Sequence, residues 1–217
     1  MTPEVPQDFR GLLQESTVAD CGALKVRLLP VDKREGDVKD KIILDLCGGT
    51  GAWSEPYRKA GYDVRVITLP KYDIRLYKPP HTVYGILAAP PCEHLAGSGA
   101  RWWKQKGEKA LLEALSIVDA CLRIIAISRP EFWALENPVG RLVHYLGQPA
   151  MYFNPCDYGD PYTKKTCLWG WFKYPPKNPI VPIEGSKIHR YPPSPDRKKL
   201  RSITPSGFAQ AFYEANP

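Results

Sequence analysis

What this sequence of 217 residues does without narrows what it encodes. Its six cysteines, Cys21, Cys47, Cys92, Cys121, Cys156 and Cys167, form no Cys-x-x-Cys pair and show no metal-ligand spacing. Zinc ribbons and disulfide scaffolds are thereby excluded, and each thiol is judged alone. The opening stretch MTPEVPQDFRG has no apolar core, so it does not read as a signal peptide. The most apolar segment, ALLEALSIVDACLRIIAIS, is interrupted by Glu113, Asp119 and Arg123, which argues against a membrane span. There is no internal repeat and no low-complexity tract. The expectation is a soluble cytoplasmic protein whose thiols sit in a reducing compartment, long enough for one domain with its own core, with or without a small appendage.

What is present is basic and rich in proline. Lysine and arginine outnumber the acids 30 to 23, giving a formal charge of +7, an excess that favours polyanionic partners. From Lys164 to Arg201 the bias sharpens, with Glu184 and Asp196 as the only acids. That stretch reads either as a phosphate-binding face or as a solvated basic surface. The 23 prolines crowd towards the carboxyl third, where long irregular connections are expected in place of regular helices.

The hydrophobic pattern alternates strands with helices. KIILDLCGGTGAWS is an apolar run, a glycine turn and a helix-compatible stretch to Ala60. YDVRVITL and TVYGILAA supply two further strands. Between Glu108 and Ser128 the apolar residues recur at helical spacing until Arg129-Pro130 stops them, and EFWALENP is another buried strand. RSITPSGFAQAFYEANP closes with a short helix after Thr204-Pro205. This order predicts an α/β fold, a doubly wound and mostly parallel sheet with helices on both faces. Such sheets bind ligands beyond the carboxyl ends of their strands. Here those ends are Asp45 to Gly51, Pro90 to Glu93 and Glu136 to Pro138.

Each end carries a candidate. Gly48, Gly49 and Gly51 lie between strand and helix, where a ligand can approach the backbone. Ser54 replaces the last glycine of a dinucleotide fingerprint, so a nucleotide-like cofactor other than NAD is inferred, with a bare tight turn as the alternative. Asp45 either holds a ligand amine or hydroxyl or caps the turn. Asp73 either accepts from an adenine amine or is a surface acid. Two prolines fix the direction of Cys92, which suits a nucleophile. Glu136, after the apolar strand FWAL, is expected to have a raised pKa and to share a proton near neutrality. Trp102 and Trp103 suit stacking on bases, whereas Trp169 and Trp171, in the strand-like TCLWGWF, read as packing residues.

Taken together these segments resemble the cytosine-5 DNA methyltransferase family, most closely its small, stand-alone, phage-type members. DLCGGTGAWS is similar to the family's cofactor loop, YDIR to its adenine-contacting acid and APPCEHLAG to its catalytic loop. WALENPVG is similar to its ENV motif, YGDPYTKKTCLW to its YGxPQxRxR stretch, and RSITPSGFAQAF to its RxLTxRExARLQ motif. The likeness runs over residues 41–174 and 197–213 in the family's order. It implies a Rossmann-like fold that binds S-adenosylmethionine through Asp45, Leu46, Cys47, Gly48, Gly49, Gly51, Trp53, Asp73 and Pro90. It also implies Cys92 as the nucleophile, Glu136 as its partner at the pyrimidine, and Lys164 with Lys165 in the place of the family's arginines.

The departures shape the rest. Thr68 and Leu69 stand where the family has a ribose-binding acid, Glu93 and His94 follow the cysteine, and Tyr162 and Thr166 replace a glutamine and an arginine. No counterpart of the last family motif is found. The expected organisation is a catalytic domain over 1–174, a proline-rich basic segment over 175–200 in place of a target-recognition domain, and a helix over 201–217 packing on the catalytic domain. The substrate is then DNA, duplex or single-stranded, in a bacterial or phage-infected cell. Sequence recognition would be short, loose, or supplied by a partner chain. The rival expectations are an enzyme for pyrimidine nucleotides or single-stranded nucleic acid, and a non-catalytic DNA-binding relative.

Overall fold

The computed structural model describes residues 37–217. The reading of MTPEVPQDFRG as no signal peptide, and Cys21, therefore lie outside the described residues. Six strands form one sheet: β1 (Ile42–Leu46), β2 (Asp63–Ile67), β3 (Gly85–Ala88), β4 (Phe132–Pro138), β5 (Met151–Phe153) and β6 (Thr166–Trp171), in the order β2-β1-β3-β4-β6-β5. The β1–β2, β1–β3 and β3–β4 pairs are parallel, while β6 runs against β4 and β5. The chain leaves β1 for β2 on one side and returns to β3 on the other. That reversal is the switch point at which open α/β sheets bind ligands.

Helices cover both faces, so the fold is the doubly wound, mostly parallel α/β sheet that the alternation of patterns predicts. They are α1 (Glu55–Lys59), α2 (Trp103–Ser128), α3 (Val143–Leu146), α4 (Lys187–Arg190), α5 (Arg197–Ser202) and α6 (Ser206–Ala215). Leu44, Leu46, Ile86, Ala88 and Leu135 point to one face, where Ala114, Val118, Cys121 and Ile124 of α2 meet them. Their strand neighbours Ile43, Leu87, Phe132 and Ala134 point to the other, against Trp53, Tyr57, Phe208 and Phe212. Period-two alternation divides the side chains between the two layers. Each fully buried aromatic or branched side chain contributes roughly 1.5–3 kcal/mol.

The carboxyl terminus is tied into the second layer. Phe208 of α6 stacks on Phe153 of β5 with ring centroids 3.9 Å apart. Asn216 accepts from the Lys173 amide at 2.7 Å and donates to the Lys173 carbonyl at 3.0 Å, while the Tyr57 hydroxyl donates to the Asn216 carbonyl at 2.8 Å.

Two expectations need correction. The carboxyl third is not wholly irregular, because α4 and α5 fit between its prolines as short helices of 4 and 6 residues. Trp171 is not a packing residue. Trp169 is buried and donates to the Gly147 carbonyl at 3.0 Å, but Trp171, at the far end of β6, is 75% exposed. Among the described residues no helix is long and apolar enough to cross a membrane.

Candidate active site

The glycine turn lies at the end of β1 as expected. Cys47, Gly49 and Gly51 all have positive φ, at 59°, 55° and 73°, and a Cβ at Gly48 would collide with the Asp45 carboxylate. Nothing stands within 4 Å of where a Gly49 side chain would begin, so the turn presents bare backbone. Asp45 itself is sealed beneath it. Its side chain is fully buried, accepts from Ser54 Oγ at 2.6 Å, and leaves Oδ1 without a partner. Burial pushes its pKa from 3.8 up to about 6, against the opposing Ser54 hydrogen bond and the Arg58 charge. Asp45 therefore staples the strand to the following helix; it is the turn cap, and the ligand-contact alternative finds no exposed carboxylate.

The other cofactor-loop candidates divide. Leu46 and Trp53 are core side chains, 0% and 1% exposed, with the Trp53 ring packed against Phe208 and Phe212. Only their backbone can face a ligand. The Cys47 amide donates to Ile67 at 2.8 Å, which holds the turn against β2. Asp73 lies in the loop after β2, where its carboxylate accepts from the Arg75 side chain, at 2.6 Å for the closest pair, and from the Arg75 amide at 3.0 Å. Those bonds hold its pKa at about 2. No acid ends β2; Thr68 and Leu69 stand there.

Next to the glycine turn, the Ala89 amide donates to Leu46 at 2.9 Å, and the chain then enters Pro90-Pro91-Cys92. The direction of this segment is fixed from two sides. Asn137 of β4 donates from Nδ2 to the Pro90 carbonyl at 2.9 Å, a buried bond. Beyond Cys92 the chain turns, with its carbonyl accepting from Leu95 and Ala96 at 3.0 and 2.8 Å. It then runs antiparallel to the residues after β4: Gly97 donates to Val139 at 2.8 Å and Arg141 to Leu95 at 2.9 Å. Only glycine fits at position 140, because a Cβ there would strike the Leu95 carbonyl. Arg141 adds a bond from Nε to the His94 carbonyl at 2.8 Å and lies 4.5 Å from the Trp103 ring. The Cys92 loop is thus zipped to the end of β4, a contact that the sequence alone does not predict.

The reversed strand β6 completes the edge. Because β6 is antiparallel to β4, its beginning lies beside the end of β4, with Thr166 opposite Pro138. The preceding Lys164 therefore reaches Glu136, with Nζ 3.7 Å from Oε1 and both side chains largely buried, 10% and 15% exposed. Glu136 sits in an ion pair, not at the purely apolar strand end that FWAL suggests. Cys92 feels both groups. Burial and the Glu136 charge push its pKa up, while Lys164 and Arg201 pull it down.

Lys165 does not share this place. It is exposed, with its ammonium 5.2 Å from the centre of the Tyr152 ring. Thr166 turns its hydroxyl back to the Lys164 carbonyl at 2.8 Å. The charge that sequence reasoning misses is Arg201, which counts there only as part of a basic surface. Its one signal is its place at the start of RSIT.

Beside this edge is a cavity of about 470 Å³, lined by residues that include Ala52, Lys59, Tyr162, Lys164, Arg201 and Ser206. It touches the glycine turn's exit at Ala52 and the thiol's neighbours at Lys164 and Arg201.

No protein-family model matches the chain, and no curated protein matches it. Among solved structures, a similar chain is a "putative DNA modification methyltransferase" encoded within a prophage (E. coli), with 17% identity and a TM-score of 0.41. The likeness covers 65% of this chain and 53% of that one, so the chain spans about half of that protein's length.

Proposed function

We propose that this protein is a cytosine-5 methyltransferase that transfers a methyl group from S-adenosylmethionine to carbon 5 of cytosine in DNA, with little sequence recognition of its own. The observation that carries this reading is the meeting at one sheet edge of a thiol, a carboxylate and an ammonium delivered by three separate strands: Cys92 after β3, Glu136 from β4 and Lys164 before β6. Nucleophilic attack on a pyrimidine ring needs this set, because the sulfur must bond to carbon 6 while the ring accepts a proton.

The charges say how the set works. Cys92 holds its proton at rest, since burial and the Glu136 carboxylate both disfavour a thiolate. As sulfur bonds to carbon 6, the thiol proton passes through Glu136 to ring nitrogen 3, so the buried site gains no net charge. Lys164 holds the carboxylate in place at 3.7 Å. Carbon 5 then becomes nucleophilic and bonds the methyl group; a solvent base takes the carbon 5 proton, and as the bond from carbon 6 to sulfur breaks the nitrogen 3 proton returns through Glu136 to Cys92. In duplex DNA the base must first leave the stack.

The cofactor supplies an electrophilic methyl group when bound. The residues present fit it in part: the open backbone at Gly49 admits a ligand at the switch point, between Gly48, backed by the Asp45 carboxylate, and Gly51, packed against Val66, with Pro90 adjoining, and Asp73 remains the candidate for the adenine. Leu46, Cys47 and Asp45 contribute backbone or support.

The organisation proposed is a catalytic domain to residue 174, a basic segment over 175–200 where a recognition domain would stand, and the closing helix. Target choice would then be short, loose or delegated to another chain, and the protein would work in the cytoplasm of a bacterium or an infected host. The test is incubation with radiolabelled S-adenosylmethionine and either duplex DNA, single-stranded DNA or deoxycytidine monophosphate, with Cys92→Ala as control. Label on cytosine carbon 5 that disappears with the variant is expected. A folded protein that neither transfers label nor binds the cofactor would instead favour a non-catalytic DNA binder.

A further inference from the structure

The segment that replaces a recognition domain touches the catalytic loop. Lys198, in α5, pairs with Glu93, the residue directly after Cys92, at 2.8 Å. Arg201 lies three residues further along α5 and so on the same face of the helix. Its side chain lines the 470 Å³ cavity together with Lys164. An exposed pair like Lys198–Glu93 contributes little stability, about 0–1 kcal/mol. Its effect is to set where α5 sits.

Two of the other cations of that cavity, which also include Lys59 at its rim, are paired. Lys164 pairs with Glu136 and Lys187 with Glu184. The two acids of its wall are also engaged, Glu55 by Arg58 and Asp160 by the Ser206 hydroxyl and Gly207 amide. Among the described residues Arg201 has no carboxylate and no hydrogen-bond acceptor. The cavity thus carries Lys59, Lys164, Lys187 and Arg201 against Glu55 and Asp160, an excess of positive charge beside the nucleophile. That suits an anion and not the cationic methyl donor. A free guanidinium with a planar fork of donors matches a phosphate.

We propose that Arg201, positioned by the Lys198–Glu93 pair, binds the phosphate of the nucleotide whose base Cys92 attacks, and that the cavity beside it is the phosphate subsite of the substrate. This rests on Cys92 as nucleophile, and it accounts for Glu93: the acid is the anchor of α5. The phosphate belongs either to a nucleic-acid strand or to a free nucleotide; the chemistry recognised is the same.

The experiment follows alkylation of Cys92 by iodoacetamide, site-resolved by peptide mass, in the full chain with no cofactor present. It therefore reads out whether or not methyl transfer is ever seen. Inorganic phosphate, deoxycytidine monophosphate and a short single-stranded oligonucleotide are titrated separately. In the native protein each anion should slow alkylation. Arg201→Met should weaken that protection about tenfold or more, and Arg201→Lys should restore part of it. Glu93→Gln should weaken protection by about threefold, through release of α5, while the unprotected protein stays folded by circular dichroism. Half-protection at lower oligonucleotide than nucleotide concentration assigns the phosphate to a strand, and the reverse order assigns it to a free nucleotide. Protection that is absent from the native protein, or that survives unchanged in Arg201→Met, overturns the proposal. Loss of methyl transfer with anion protection intact would instead sink the methyltransferase reading and leave the phosphate site standing.

Discussion

Two carboxylates sit at the carboxyl edge of the same sheet and are treated in opposite ways. Asp45 of β1 is fully buried, has a hydroxyl as its single side-chain partner, and carries an oxygen with none. Glu136 of β4 retains some exposure, has an ammonium at 3.7 Å, and raises the pKa of the neighbouring thiol. The first is held by the fold at a cost to the fold. The second is held by a charge that a substrate can share. What would separate a supporting acid from the reacting one proposed for Glu136 is therefore access and counter-charge, not position along the strand.

The sharpest way to break this comparison is to neutralise each acid. Glu136→Gln should lower methyl transfer by about 10²- to 10⁴-fold, because the proton route to the ring is lost. The same change should speed alkylation of Cys92 at pH 8, since it removes a charge that disfavours the thiolate. Two assays moving in opposite directions identify chemistry; a parallel fall in both would mean that the loop had merely come apart.

Asp45→Asn should act on stability. The Asp45 pKa is raised from 3.8 to about 6, so the folded state binds the proton more tightly than the unfolded state does. Its contribution is most favourable below pH 4, declines as pH rises through 4 to 6, and above 6 is a full penalty. Asparagine, never ionised, should stabilise the protein at pH 7 by about 1–3 kcal/mol and flatten the melting profile between pH 4 and 6. A variant less stable than native at pH 7 would show that the Ser54 bond outweighs the buried charge.

The zipped loop gives the next test. Gly140→Ala must push the Leu95 carbonyl away, at a cost of about 1–3 kcal/mol, and should displace Cys92 as well as destabilise the chain. An unchanged melting temperature and alkylation rate would remove the argument that β4 aims the thiol.

Much of this is legible in the order of residues. Apolar runs and turns locate β1 to β4 and α2 because local pattern and burial agree there. Cys92, Glu136 and the glycine turn are recognisable because each follows a strand, and parallel strands end on one edge. What pattern cannot supply is what depends on pairing across the chain. The direction of β6 decides that Lys164 reaches Glu136, and nothing within TCLWGWF encodes its orientation. The burial of Trp53 depends on α6, some 150 residues away. Arg201 is hidden for a similar reason: in a basic stretch, only the contact of Lys198 with Glu93 distinguishes it from its neighbours.

The smallest expected effect tests that same point at adjacent residues. Lys164 and Lys165 are indistinguishable by type, yet one is 10% exposed beside Glu136 and the other stands in solvent over Tyr152. Lys164→Met should slow Cys92 alkylation and methyl transfer together, since it removes a charge that favours the thiolate and frees the Glu136 side chain. Lys165→Met should change either rate by less than about twofold and stability by under about 0.5 kcal/mol, as for a surface substitution away from any network. Equal losses in the two variants would mean that both lysines face the substrate, and the orientation of β6 would then no longer explain why one strand delivers only one of them.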